Sequence, residues 1–251
     1  MKYQLETIPI WEAFEAKTEC PLCYLAQKLT KNCTDFFLGG SVMEPDTREQ
    51  VNALGFCPEH FTLLFEAGNK QSLALLAHTH LREMSSRLAD FEKRLRASEL
   101  GEKSGSFFPK ARGSSKPLSI YNDLVASGVA SCAFCDKMYT TMKRYAFTIV
   151  YTWKKNDEFK TEIERSKGFC IPHLPSVVGM ADAVLSRSVR NKFLNRLFDV
   201  QRENLKRIEE EILWYTQKFD YKNKDKPWNN SADALPRTIQ KLIGKIMKAG
   251  K

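Results

Sequence analysis

Histidine is scarce in this 251-residue chain, with 4 residues, and no stretch of about 18 uncharged apolar residues occurs. The second absence excludes a membrane-spanning helix. The start of the chain sets Glu6 and Glu12 around a short Ile8-Pro9-Ile10 patch and lacks the basic-then-apolar layout of a secretory signal. A cytoplasmic location is therefore expected. No Ser/His/Asp set, phosphate-binding glycine loop or paired Glu-x-x-His motif is found, which leaves an enzyme reading without catalytic residues. Disorder is excluded too, because 43% of residues are hydrophobic and 27% charged, enough for one large or two modest domains. What the chain does have is 7 cysteines. Without an export signal, these point to metal or redox chemistry rather than a disulfide framework.

The cysteines follow a repeat. In order they read Cys20-Pro-Leu-Cys23, Cys57-Pro-Glu-His60, Cys132-Ala-Phe-Cys135 and Cys170-Ile-Pro-His173, so a C-x-x-C then C-x-x-H unit occurs twice. The gap between the two motifs is 34 positions in the first copy and 35 in the second, and the copies are offset by 112 to 113 residues. Gly55-Phe56 and Gly168-Phe169 stand directly before the third cysteine of each copy. Six of the seven cysteines and two of the four histidines fall in this register. Cys33 is left over, on an apolar face, as an inert thiol.

The segments between motifs have helical periodicity. Leu22, Leu25, Leu29, Cys33 and Phe36 recur at spacings of three and four, as do Met138, Met142, Tyr145, Ile149 and Trp153. A shorter second helix is expected in each half, opened in the first by Asp46 as cap with Glu49 reaching back, and stopped by the left-handed Gly55 and Gly168. Long third helices are expected over about 71–97 and 182–215, the first with His80 on its apolar stripe as a core histidine and His78 off it in solvent. No convincing strand is present. The chain reads as all-α, with a first helical repeat over 1–100, a Gly/Ser/Pro-rich linker over 101–119, a second repeat over 120–216, and a linker and basic amphipathic helix over 217–251.

The repeated motif has a definite chemistry. A C-x-x-C pair sets two sulfurs close enough to share an ion, and a second pair from a distant segment completes a tetrahedron around Zn²⁺. The candidate ligands are Cys20, Cys23, Cys57 and His60 in the first repeat and Cys132, Cys135, Cys170 and His173 in the second, giving two Cys3His sites and two zinc ions per chain. Pro21, Pro58 and Pro172 suit first helical turns, where exposed amides favour thiolates. Tyr24 and Asp136 after the second cysteines exclude haem attachment, whereas an iron–sulfur cluster on the same ligands stays open. With four protein ligands and no free position, the role is structural. Each ion is expected to fasten the first helix of a half to the start of its third, so Cys57→Ser should loosen the N-terminal half alone.

The net charge of +9 is uneven, running −5 over 1–69, +5 over 70–117, +1 over 118–186 and +8 over 187–251. The basic last quarter offers sequence-independent, salt-dependent binding to nucleic acid, or a weak contact to another polyanion, through Arg187, Arg190, Lys192, Arg196, Arg202, Lys206 and Arg207, interrupted by Glu209, Glu210 and Glu211. In the final helix Leu235, Ile239, Leu242, Ile243, Ile246 and Met247 form one face and Arg237, Lys241, Lys245 and Lys248 lie off it, for docking on the core, on a partner or on a membrane surface. The long helices also suit self-association or an unknown protein partner. Together, the Ile8-Pro9-Ile10 start, the two C-x-x-C/G-F-C-x-x-H units and the closing stretch from Asp233 to Gly244 resemble an uncharacterised bacterial family known only as a domain of unknown function. The resemblance covers almost the whole chain. It implies a bacterial cytoplasmic protein and no particular activity.

Overall fold

In the computed structural model, the described residues are 6–101 and 131–247. Among them the chain is all-α, with no strand and ten α-helices: α1 (Thr7–Glu15), α2 (Pro21–Leu38), α3 (Pro45–Leu54), α4 (Pro58–Glu66), α5 (Lys70–Gly101), α6 (Ala133–Lys155), α7 (Asp157–Arg165), α8 (Leu174–Val184), α9 (Arg187–Gln217) and α10 (Ala234–Ile243). The linker expected at 101–119 lies, apart from residue 101, outside the described residues. Helix α5 falls where the periodicity places it, but the helix expected over about 182–215 begins only at Arg187, because residues 182–184 belong to α8 and the chain is extended at Leu185 and Ser186. The β-prone Phe147–Trp153 run is the end of α6.

Several helix starts differ from expectation. Glu44, not Asp46, holds the cap position of α3, and Pro45 opens the helix, where a missing N–H costs nothing. The C-x-x-H motif of the first repeat begins a helix of its own, α4, with Cys57 at the cap and Pro58 at the first position. In the second repeat Pro172 lies in a turn, and Pro175 instead occupies the first turn of α8. Gly55 closes α3 with φ 62°. Gly168, with φ 69°, comes after α7 has ended at Ser166 and turns the chain into Phe169 and Cys170.

The chain divides into two compact units, Met1–Thr30 with Tyr139–Lys251, and Lys31–Met138. The boundary falls inside α2 and inside α6. In the first unit Phe14 meets Phe159 and Phe169 edge-on, with centroids 4.9 and 6.4 Å apart, and Trp153 meets Phe193 at 4.9 Å. In the second, Phe37 joins Phe56 edge-on at 5.1 Å and Phe134 at 5.7 Å. The stripe of α5 is buried only in its first part. Leu73 and Leu76 are covered, His80 and Met84 are half-buried, and Leu88 is exposed.

A buried carboxylate organises the first unit. Glu19 is 1% exposed and pairs with Arg207 at 2.6 Å, Lys167 at 3.3 Å, Arg237 at 3.4 Å and Lys241 at 3.7 Å. Glu211 shares Arg207 and Arg237. The final helix α10 thus docks on the body through its cations and Ala234, leaving Leu235, Leu242 and Ile243 exposed. This inverts the docking face that hydrophobic patterning suggests, because the favourable partner is a buried anion supplied by the residue before Cys20. Helix α10 also ends at Ile243, with Gly244 as its cap. Burial alone would raise the Glu19 carboxyl, but Arg207, Lys167 and Lys241 hold it below its ordinary value. Its contribution is therefore present above the unfolded carboxylate range and lost as pH falls through the lower folded value. Removing the charge leaves the buried Lys241 ammonium without a carboxylate, so Glu19→Gln should cost on the order of 3–5 kcal/mol in urea unfolding at pH 7. Glu12→Gln, at the exposed Lys28 pair, should cost less than about 1 kcal/mol in the same measurement.

Candidate metal centres

All eight predicted ligands gather into two groups of four, each close enough to hold a metal ion, but the grouping crosses the repeats. Cys20 and Cys23 stand with Cys170 and His173, and Cys57 and His60 stand with Cys132 and Cys135. The expectation that each ion joins residues within one half is corrected accordingly. Each group takes the C-x-x-C of one repeat and the C-x-x-H of the other, and each lies wholly within one compact unit.

The geometry suits a single ion. In the first group the His173 Nδ1 lies 3.7, 3.5 and 3.1 Å from the sulfurs of Cys20, Cys23 and Cys170, and the Cys23 and Cys170 sulfurs are 3.6 Å apart. In the second the His60 Nδ1 lies 3.1, 3.5 and 3.3 Å from Cys57, Cys132 and Cys135, with the Cys57 and Cys135 sulfurs 4.0 Å apart. A tetrahedral ion with bonds of about 2.3 Å to sulfur and about 2.0 Å to nitrogen sets its ligand atoms roughly 3.5–3.8 Å apart. The donor sets and their spacing are therefore compatible with one tetrahedral metal ion in each group.

Backbone contacts aim these ligands. In the second group, Ala133 N–H donates to Gly55 O at 3.0 Å and the Ser131 hydroxyl to Leu54 O at 2.8 Å, bringing the Cys57 and Cys132 segments together. The Cys135 N–H donates to Cys132 Sγ at 3.3 Å, a helix-start amide supporting a thiolate. His60 stacks on Phe134 at 4.0 Å. The His80 Nδ1 lies 3.0 Å from Asn52 O, so His80 is a hydrogen-bonded core histidine, and its ring sits where a Cβ on Gly55 would fall.

The first group solves the same problem with different atoms. Gln201 clamps Phe169 from both sides, accepting its N–H and donating to its carbonyl, each at 2.9 Å. Pro21 occupies the position of Ala133 and has no N–H to give, and Glu19 occupies that of Ser131. Lys241 supplies the missing donor. Its ammonium donates to Lys167 O, the counterpart of Leu54 O, and to Glu19 O at 2.7 Å, while its own carbonyl accepts from Ile171 N–H at 2.8 Å. Gly244 follows so closely that an added Cβ would lie 3.4 Å from the Cys170 sulfur. Sequence reasoning missed Glu19, Gln201 and Lys241. The proline at 21 and the acidic residue at 19 were the available signals.

Without an ion, the groups hold their protons differently. Burial would raise the Cys20 thiol, but hydrogen bonds from Cys170, Cys23 and His173 bring it well below its ordinary range. Burial would likewise lower His173, yet the Cys170 and Cys20 sulfurs raise it to about 10. Hydrogen bonding to Cys170 and Cys20 pushes Cys23 up. In the second group, burial raises Cys57, raises Cys135 to about 12 and lowers His60. A dication entering either group must displace protons, so its affinity falls as pH falls.

A family model matches residues 1–249 of the chain, that of a family of unknown function, DUF6062. No curated protein and no solved structure gives a match. The crossed grouping is tested by paired substitutions. Cys57→Ser with Cys132→Ser removes two ligands of one group and should leave one metal ion per chain. Cys23→Ser with Cys57→Ser removes one ligand from each and should leave none tightly held. Elemental analysis of the purified variants reads the result, and ligation within each half would reverse it.

Proposed function

The chain belongs to this family of unknown function, and on its two Cys3His clusters we propose a zinc-held helical protein that acts as a binding or scaffold module. The observation that carries the reading is the pair of closed four-donor sets, with donor atoms all within 4.8 Å of one another in each. Cys20, Cys23, Cys170 and His173 would hold one ion, and Cys57, His60, Cys132 and Cys135 the other. Four protein ligands leave no position for substrate, which favours a structural role over a catalytic one. A structural zinc site releases on the order of 10–16 kcal/mol, comparable to the whole net stability of a domain at about 5–15 kcal/mol.

An iron–sulfur protein using the same ligands is the second reading. A two-iron cluster divides its ligands between two metal centres, and donors this close together favour a single ion. Reduced thiols are required by either reading, which supports a cytoplasmic location. Protein contact is the expected mode of action, through the outer apolar residues of the long helices and Leu235, Leu242 and Ile243 of α10. Polyanion contact is the weaker reading, since Arg207, Arg237 and Lys241 are engaged with Glu19.

Protein purified without oxygen should be colourless and contain about two zinc ions per chain, and stripping them with a chelator should abolish cooperative unfolding. Brown protein with visible absorption, iron and sulfide would establish the iron–sulfur reading instead.

A further inference from the structure

The two candidate zinc sites have the same four donors and very different cover. In the first, Cys20, Cys23 and Cys170 are 0, 2 and 0% exposed. The end of α10 lies against this group through the Lys241 and Ile171 bond and the close approach of Gly244 to Cys170. In the second, Cys132 is buried, Cys57 and His60 are half-buried and Cys135 is exposed. Pro58 stands in the position of Ile171 and has no N–H with which to hold a covering strand.

Resting on the zinc reading above, we propose that the Cys57, His60, Cys132 and Cys135 site is an oxidisable centre that releases its metal to peroxide, while the other site is permanent. Zinc holds each bound sulfur as a thiolate, so the nucleophile is already formed in both sites and access decides which one reacts. At the second site Cys135 is open to solvent and the Cys57 sulfur lies 4.0 Å away. The Cys135 thiolate attacks one oxygen of hydrogen peroxide. A sulfur–oxygen bond forms, the oxygen–oxygen bond breaks and hydroxide leaves. The Cys57 thiolate then attacks the Cys135 sulfur, forming a disulfide and expelling a second hydroxide. Two thiolates lose one electron each, the peroxide takes both, and two protons from solvent complete two waters. Zinc is left with Cys132 and His60 alone and dissociates.

The test uses the full chain carrying two zinc ions, treated with hydrogen peroxide beside a chromogenic zinc chelator. One equivalent of zinc should leave at least ~10-fold faster than the second, a Cys57–Cys135 disulfide should appear by mass mapping, and a dithiol with added zinc should restore the site. Release of both ions at one rate, or a first disulfide among Cys20, Cys23 and Cys170, would overturn the proposal. The Cys135→Ser variant should lack the fast phase. Should that variant not fold, maleimide labelling of the native chain gives the same answer, with Cys135 modified before the cysteines of the first site and any other order contradicting it. A chain that holds no zinc before peroxide is added would refute the zinc reading itself, a result distinct from equal release rates.

Discussion

Everything in the arrangement depends on one constraint: the C-x-x-C of each repeat meets the C-x-x-H of the other. Closing such contacts joins residues 147 positions apart at Cys23 and Cys170, and 78 apart at Cys57 and Cys135. Chain entropy does not forbid this. Loop cost grows only with the logarithm of length, so closing the longer loop rather than one of 34 positions adds roughly 1 kcal/mol. A structural ion contributing about 10–16 kcal/mol outweighs that difference many times over. The exchange resembles domain swapping between protomers, made here between two repeats of one chain. Each repeat carries four donors, but its two pairs lie in different groups, so neither group is complete without both repeats.

The duplication is one of plan rather than of atoms. Ser131 and Ala133 brace the second group, but Glu19 and Pro21 at the matching positions cannot make the same bonds. Lys241 reaches in from the final helix to make one of them, and its charge calls for the Glu19 carboxylate, which in turn gathers Arg207 and Arg237. A single departure from the repeat thus accounts for where α10 docks. It also leaves the two candidate centres with different access to solvent, the first under the end of α10 and the second open at Cys135.

Much of this was legible in the chain. Three- and four-residue spacing located the long helices, the repeated cysteine motifs identified the residues of both groups, and the left-handed helix stop expected at Gly55 is where α3 ends, whereas Gly168 has a positive φ but lies beyond the end of its helix. What spacing did not reveal was which motif meets which, because two identical half-sets are compatible with either pairing. Helices α4 and α8 escaped notice because nine- and eleven-residue helices beside longer ones have little period of their own. The docking face of α10 was hidden for a different reason. Hydrophobic patterning assumes an apolar surface to meet, and here the surface is a buried glutamate, whose attraction for Arg237 and Lys241 overrides the apolar stripe.

On the proposed reading, metal ions fasten two units, each built from both repeats. Anomalous diffraction from crystals of the intact protein, recorded on either side of the zinc absorption edge, tests that claim most directly. Two zinc peaks per chain are expected, one bounded by Cys20, Cys23, Cys170 and His173 and the other by Cys57, His60, Cys132 and Cys135. Peaks joining Cys20 and Cys23 to Cys57 and His60, or no metal at either group, would contradict it.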